Sequence, residues 1–264
     1  MPAIQFTIYN SSVVIQMNLR VIAHARNGHT DKFGIPRQSR DASPIETRIV
    51  FEPEYRVPEA LRGIDGYSHL WLIWGFSENQ SPITNNQSPT TWSPTVRPPR
   101  LGGNKRMGVF ATRSPFRPNP LGLSSVRLIR IEGGDLIVSG ADLLDGTPIY
   151  DIKPYLSFSD SHEEAKNGFA EETADYQLKV VWEATMETYL STLPAHYQHI
   201  SSTSVAEWKH AVEYILSQDP RPGYQDDPER EYKLDYDGIT VTFVVQEGIV
   251  IVKNIQKMQK HLHK

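Results

Sequence analysis

The hydrophobic pattern of the first half of the chain predicts a mainly β domain. Short stretches rich in β-branched and aromatic residues recur between Gly, Pro, Asn and Asp positions, as in strands joined by turns. Tyr67–Phe76 is apolar at nearly every position, so we expect a strand buried on both faces. His69 within it is either a core histidine or a support beneath a site. The predicted strands are Ile4–Tyr9, Val13–Ala25, Ile45–Pro53, Tyr67–Phe76, Met107–Thr112, Leu121–Ile131 and one beginning at Ile137–Ser139.

A second pattern follows the polar, acidic stretch Ser157–Thr173, where we place a domain boundary, giving domains at residues 1–160 and 161–264. Val205–Ser217 carries apolar residues at helical spacing and is predicted to be an amphipathic helix. Asp-Gly and Glu-Gly pairs then separate three apolar segments and indicate hairpin turns. These segments, Tyr232–Tyr236, Ile239–Val245 and Ile249–Ile255, predict strands. The C-terminal part is therefore expected to be a small α+β domain.

Composition narrows the function classes. The 264 residues include no cysteine, which excludes disulfides and thiolate catalysis. No apolar run approaches the roughly 20 residues of a membrane span, and the N-terminus lacks the pattern of a secretory signal, so we expect a cytoplasmic protein. The phosphate-loop, dinucleotide-binding, zinc-protease and nucleophile-elbow motifs are absent. Four histidines, His24, His29, His69 and His162, are isolated along the chain, so no metal site is expected.

Positive charge is concentrated in one stretch. No Asp or Glu occurs between Asn79 and Ile131, whereas the whole chain has a formal net charge of −4. Eight cations lie in this stretch, which leaves about −12 for the remainder. Such a face attracts a polyanion or a phosphate-rich ligand, although a solvated basic loop is the alternative. The cations are Arg97, Arg100, Lys105, Arg106, Arg113, Arg117, Arg127 and Arg130.

Two stiff loops carry hydrogen-bond donors suited to an anion. Arg113–Pro120 contains three prolines, which fix its backbone and hold its arginines and Asn119 before any ligand arrives. Residues 34–38 place a Gly-Ile-Pro turn beside Arg37 and Gln38, a donor set suited to phosphate, carboxylate or a base edge. Either loop is also compatible with a plain surface role. The carboxylates and the lysine around Asp145-Gly146 are equally compatible with a turn and a surface ion pair.

Six motifs, in order along the chain, resemble the YaeB-like proteins, which are the TrmO family of tRNA methyltransferases. They are GIPRQ at 34–38, GYSHLW at 66–71, RPPRLGGNKR at 97–106, GVFATRSPFRPNPLG at 108–122, DLLDGTPIYDIKPY at 142–155 and QDPRPGY at 218–224. The resemblance implies a β-barrel that binds S-adenosylmethionine without a Rossmann fold, and a homodimer with the cofactor near the subunit interface. The implied cofactor residues are Pro36, Arg37, Gln38, Ser77, Glu78, Arg113, Leu121, Ala141, Asp142, Leu143 and Leu144.

The implied reaction methylates N6 of N6-threonylcarbamoyladenosine beside the tRNA anticodon. Because this nitrogen is a poor nucleophile, catalysis is expected to rest on positioning, with optional help from a base that removes the N6 proton. Asp142, Asp145 and Asp151 are candidates for that base. Asn119 is expected to bond the base, and Lys153 the threonyl carboxylate. The expected tRNA contacts are Arg97, Arg100, Lys105, Arg106, Arg117 and the stacking ring of Tyr155, extended by the C-terminal domain.

The sequence is also compatible with two other functions. A transferase on the same scaffold would use the cofactor for another modified nucleotide or a small molecule. A non-catalytic RNA-binding or regulatory module would keep the barrel without the chemistry.

Overall fold

The fold is described from a computed structural model. The structure describes residues 4–10, 13–36, 38–39, 43–76, 92–98, 105–173, 176–192, 204–221 and 227–258. Within these ranges the chain forms a closed barrel and a separate four-stranded sheet, each with its own hydrophobic core.

Six antiparallel strands close the barrel in the order β10-β3-β4-β9-β8-β5. Their bounds are β3 Ala23–Arg26, β4 Glu46–Phe51, β5 His69–Gly75, β8 Leu121–Glu132, β9 Asp135–Ser139 and β10 Pro148–Pro154. Closure leaves no free sheet edge. Inward side chains such as Leu70, Leu72 and Leu136 are fully buried. The prediction of a mainly β domain is confirmed.

Strand β5 corrects one expectation. Tyr67–Phe76 was expected to be buried on both faces, but burial alternates from Leu70 to Trp74 along the strand. Leu70 and Leu72 fill the core, whereas Trp71 and Ile73 are half-buried on the outer side. A barrel strand has one face in the core and one outside, so the alternating burial reflects the two faces of this strand. His69 lies on this outer side, where its Nδ1 is 2.9 Å from the Ser68 hydroxyl.

Two small sheets lie apart from the barrel strands. β1 (Ile4–Asn10) and β2 (Val13–Leu19) form an antiparallel hairpin. The expected strand Val13–Ala25 is therefore two strands, β2 and β3, because the backbone leaves the ladder between them. Further on, β6 (Thr95–Val96) pairs with β7 (Met107–Gly108). The strand expected at Met107–Thr112 ends at Gly108, because Val109–Ala111 forms a helical turn.

The C-terminal sheet has the order β11-β14-β13-β12. Its strands are β11 Lys179–Trp182, β12 Tyr232–Tyr236, β13 Ile239–Gln246 and β14 Ile249–Lys257, and the helices are α1 Ser157–Asp160, α2 Ala184–Thr192 and α3 Val205–Ser217. Helix α3 has the predicted bounds, and its Trp208, Val212 and Ile215 are buried in the second core. Ser204 caps it by accepting a hydrogen bond from the Glu207 amide. No helix in these described ranges is long and apolar enough to cross a membrane.

The segment after β3 packs on the C-terminal core. Phe33 and Ile45 belong to the second core although they precede the barrel strand β4. The Asp237 amide donates to the Gly28 carbonyl at 2.9 Å. At Gly34, whose φ is +93°, an added Cβ would lie 2.2 Å from Leu234 Cδ1. The residues that follow Gly34 are therefore held in place by the second domain.

Candidate active site

A cavity of about 710 Å³ opens at one end of the barrel. Its size lies within the roughly 300–1,000 Å³ typical of small-molecule sites. Four parts of the chain meet there: the loop before β4, β5 and its end, the proline-rich loop leading into β8, and the segment after β9. The lining residues are Lys32, Ile35, Pro36, Trp71, Trp74, Gly75, Phe76, Arg113, Pro115, Phe116, Arg117, Asn119, Leu121, Gly122, Leu123, Asp142, Leu144 and Thr147.

The segment 141–144 alternates between core and cavity. Ala141 and Leu143 are buried in the barrel core, and Asp142 and Leu144 line the cavity. This is the period-two alternation of extended chain, although the segment continues past β9 without forming a strand. Of the four adjacent residues expected at the cofactor, the structure brings two to the cavity wall, and the other two support them from beneath.

Asp142 is the half-buried carboxylate of the cavity. The Ser124 hydroxyl donates to its Oδ1 at 2.5 Å, and the Trp74 indole Nε1 donates to the same hydroxyl at 2.9 Å. Burial raises the pKa of the Asp142 carboxyl above its ordinary value, against the opposing effects of the Ser124 hydrogen bond and the Arg113 charge. A carboxylate with a raised pKa is a better proton acceptor near neutral pH.

Arg113 joins the two stiff loops identified in the sequence. Its Nη1 donates to Gln38 Oε1 at 2.6 Å, so the loop containing Pro36 and Gln38 is bonded to the proline-rich loop. Within the described part of the chain, Arg113 forms no salt bridge. Its positive charge lowers the pKa of Asp142 through a longer-range electrostatic interaction. Its guanidinium is therefore available to an anionic group.

Arg117 and Asn119 also line the cavity, in different ways. Arg117 donates from Nη1 to the Thr112 and Ser114 carbonyls at 3.1 and 3.4 Å, which ties the proline-rich loop to itself. Asn119 is exposed at the rim, and its carbonyl accepts from the Leu121 amide at 2.7 Å. The structure thus gives Arg117 contacts that stiffen the loop, and leaves the Asn119 amide open at the cavity rim.

The aromatic wall at the end of β5 was missed by the sequence reasoning. Trp74 and Phe76 pack edge to face at 4.4 Å between ring centroids. Trp74 pairs across the ladder with Gly122, where an added Cβ would lie 2.1 Å from Trp74 Cε2. A Trp directly before the Gly75 that ends the strand, paired with a Gly after a proline loop, is the signal that would have indicated this wall.

Several expected site residues lie outside the cavity lining. Asp145 accepts from the Asn27 amide at 3.1 Å and pairs with Arg26 at 3.4 Å. Lys153 pairs with Asp151 at 2.9 Å on the outside of the barrel. This matches the alternative of a turn and a surface ion pair, and a catalytic role for these side chains stays a prediction. Tyr155 lies closer, because its ring is 5.4 Å from that of Trp71, a lining residue.

Three of the six expected tRNA contacts lie on the strand pair β6–β7 or beside it. Arg97, Lys105 and Arg106 are exposed there, and Arg106 Nη1 donates to the Thr95 hydroxyl at 2.9 Å. Four expected site residues, Arg37, Ser77, Glu78 and Arg100, lie outside the described residues. No group of three or more His, Asp or Glu side chains in the described ranges is arranged to hold a metal ion.

Comparison with known proteins decides the family. Residues 24–161 match the tRNA-methyltransferase O N-terminal domain, and residues 175–258 match the TrmO C-terminal domain. The chain belongs to the tRNA-methyltransferase O family. The family expected from the six sequence motifs and the expected barrel fold are both confirmed.

Several known proteins match most of this chain. It is 42% identical over 196 residues to the tRNA (adenine(37)-N6)-methyltransferase of Eikenella corrodens, covering 73% of this chain and 99% of that protein. A Pseudomonas aeruginosa relative, RcsF, is 40% identical over 212 residues, 80% of this chain and 85% of its own, and carries S-adenosylmethionine-dependent methyltransferase in its name. A crystal structure of TrmO from the same species aligns with a TM-score of 0.68 at 29% identity, covering 94% of this chain and 100% of that one.

Proposed function

We propose that this protein transfers a methyl group from S-adenosylmethionine to N6 of N6-threonylcarbamoyladenosine at position 37 of tRNA. The observation that carries the proposal is the cavity in which Arg113, Asp142 and an aromatic wall meet, in a chain of this family. The names of the Eikenella and Pseudomonas relatives, which state an adenine-37 N6-methyltransferase and an S-adenosylmethionine-dependent enzyme, support the reaction and the donor.

The cavity residues fit the cofactor by their chemistry. The Arg113 guanidinium suits the carboxylate of the methionine part, and the rings of Trp74 and Phe76 suit the adenine. Pro36, Leu121 and Leu144 add apolar lining. When bound, the cofactor supplies an electrophilic methyl group on a sulfonium. The residues of the chain would orient the cofactor, exclude water from the cavity and accept one proton.

The proton is the part of the reaction that needs a protein group. When N6 gains the methyl group that the bound cofactor would supply, N6 must lose its hydrogen to a proton acceptor. Asp142 is the aspartate among the three candidates that lines the cavity, and its raised pKa suits a proton acceptor. Asn119 at the rim is suited to bond the substrate base. Lys153 and Tyr155, on the outer side next to Trp71, would meet the threonylcarbamoyl group if it extends over that edge.

A homodimer belongs to the same proposal. The outer face of β8 exposes Leu123, Ile129 and Ile131 at 55%, 41% and 41%, and Leu123 also lines the cavity. Burial of this face by a second copy would bring the partner to the cavity mouth and remove apolar surface from water. Sedimentation of the purified protein tests this point, and a monomer at micromolar concentration would contradict it.

The decisive experiment has two stages. Calorimetric titration with S-adenosylmethionine compares the wild type with Arg113→Ala, and with Arg20→Ala, a surface arginine whose partner is Glu54, as the matched control. We expect binding that Arg113→Ala weakens at least tenfold and Arg20→Ala does not. Methyl uptake is then measured with tRNA that carries or lacks threonylcarbamoyladenosine. No cofactor binding, or uptake that is independent of the threonylcarbamoyl group, would refute the proposal.

The role of Asp142 is tested by Asp142→Asn. We expect kcat to fall by roughly 10²- to 10⁴-fold, the usual contribution of a general base, while cofactor affinity stays within a fewfold. Asp145→Asn is the control, because Asp145 lies outside the cavity lining. If both variants turn over within a fewfold of the wild type, positioning alone accounts for the catalysis.

A further inference from the structure

An exposed aromatic pair lies beside the basic strands β6 and β7. The rings of Trp92 and Phe110 stack at 6.4 Å between centroids with 25° between their planes. Both residues remain exposed, Trp92 at 44% and Phe110 at 73%. Stacking two rings and leaving them in water forgoes most of the free energy that burial would provide, so a site for a further planar group is indicated.

Backbone hydrogen bonds hold the chain on either side of Phe110 in place. The Val109 amide donates to the Pro94 carbonyl at 2.9 Å, and the Thr112 amide donates to the Val109 carbonyl at 3.1 Å. The Val109 side chain is buried at 1% exposure. The residue that precedes Phe110 is therefore fixed in the protein while the phenyl ring points outward, and a bound group meets a pre-positioned ring.

The charges around the pair favour a nucleic acid as the occupant. Arg97, Lys105 and Arg106 are exposed and form no ion pair with any described carboxylate, whereas the barrel arginines Arg48 and Arg130 are paired with carboxylates. The stretch between Asn79 and Ile131 contains no Asp or Glu, so these three cations also have no acidic neighbour along the chain. Unpaired cations next to open aromatic faces are the combination that single-stranded nucleic acids require, because cations meet phosphates and bases stack on rings.

Phe110 is also close to the cavity along the chain. Arg113 lies three residues beyond Phe110, so their Cα atoms are at most about 11 Å apart. An adenosine turned into the cavity would leave its loop neighbours within reach of the pair.

We propose that Trp92 and Phe110 form a stacking platform for an unpaired anticodon-loop base that neighbours the nucleotide to be methylated. This proposal rests on the proposed function for the identity of the RNA, and it assigns the pair to binding, with no part in the chemistry. It predicts that the rings contribute to tRNA affinity independently of the number of phosphate contacts.

The test measures tRNA affinity of Phe110→Ala and Trp92→Ala by fluorescence anisotropy over a range of salt concentrations. A stacked base lost at either position weakens binding by roughly 5- to 150-fold. The slope of affinity against salt is expected to stay unchanged, because no phosphate contact is lost. Arg97→Ala, by contrast, should reduce that slope by about 0.7.

Two further variants serve as controls in the tRNA-binding assay. One keeps an aromatic ring at position 110, and the other removes an exposed ring elsewhere on the protein. Phe110→Tyr keeps the ring and should bind within about threefold of the wild type. Phe158→Ala removes a more exposed phenyl ring, at 87%, from a segment with acidic neighbours, and should bind as the wild type does. A 2-aminopurine placed in the loop of an anticodon stem–loop RNA should be quenched by the wild type and not by Phe110→Ala.

The outcomes separate this proposal from the proposed function. If the wild type methylates tRNA but Phe110→Ala binds within twofold of it, the platform is refuted and the methyltransferase stands. Equal weakening by Phe158→Ala, or a changed oligomeric state of the Trp92 variant, also refutes it, the latter by making the pair a subunit contact. A wild type that binds no RNA refutes the platform, whereas loss of cofactor binding alone refutes only the proposed function.

Discussion

Acidification is expected to destabilise the protein through one buried histidine. His29 is 1% exposed, and neither ring nitrogen has a hydrogen-bond partner among the described residues. Its ring packs against Tyr236 of the C-terminal sheet at 5.2 Å between centroids, and its carbonyl accepts from the Asp145 amide at 2.8 Å. The imidazole therefore sits at the junction of barrel and second domain, in surroundings that disfavour a charge.

The size of the expected stability loss follows from the lowered pKa of His29. Burial lowers the pKa of His29 from 6.5 to about 4, so between these values the unfolded state binds more protons than the folded state. The stability that neutral His29 allows is fully present above pH 6.5 and is lost as pH falls through the window. The free energy of unfolding should drop by about 2 kcal/mol between pH 7 and pH 5, and by about 3 kcal/mol at pH 4.

Urea unfolding of the wild type and of His29→Phe at pH 7, 6, 5 and 4 measures this effect. Phe keeps a planar ring without a titrating group, so the variant should lack this part of the pH dependence, and the difference between the two proteins should grow toward pH 4. His162→Gln, at an exposed position, should follow the wild type. If wild type and His29→Phe lose stability in parallel, to within about 0.5 kcal/mol, the buried neutral imidazole is not responsible.

Three further substitutions test the packing around the site. Gly122→Ala should displace the Trp74 indole, since an added Cβ would lie 2.1 Å from it, and weaken cofactor binding more than tenfold by calorimetry; unchanged affinity would mean that the wall is not part of the pocket. Asp135→Ala should lower the urea-measured free energy of unfolding by about 2 kcal/mol without changing cofactor affinity, because the Phe51 amide loses its buried acceptor; a neutral effect would contradict this. Gly34→Ala should cost about 1–3 kcal/mol, because a left-handed backbone and contact with Leu234 oppose a Cβ; retained stability would show that the loop shifts freely.

The regular elements were largely predictable because their signals are local. The bounds of α3 (Val205–Ser217) and β12 (Tyr232–Tyr236) agree with the predicted ones, since a 3.6-residue period and an Asp-Gly turn depend on adjacent residues. The errors occur where tertiary pairing overrides pattern. Strand β5 reads as apolar throughout, yet barrel closure gives it one outer face, and Met107–Thr112 turns into a helical turn after two strand residues.

The candidate site likewise has some features that the sequence predicted and others that only the tertiary structure showed. The sequence by itself determined the family, through its motifs, and the local concentration of positive charge, because the stretch from Asn79 to Ile131 carries eight cations and no Asp or Glu. Only the tertiary structure decided which aspartate lines the cavity, since Asp142 and Asp145 are three residues apart but are turned to different partners by extended chain and turn. It alone brought Gln38 to Arg113 and Trp74 to Gly122, because contacts between distant segments depend on barrel register, which no local pattern encodes.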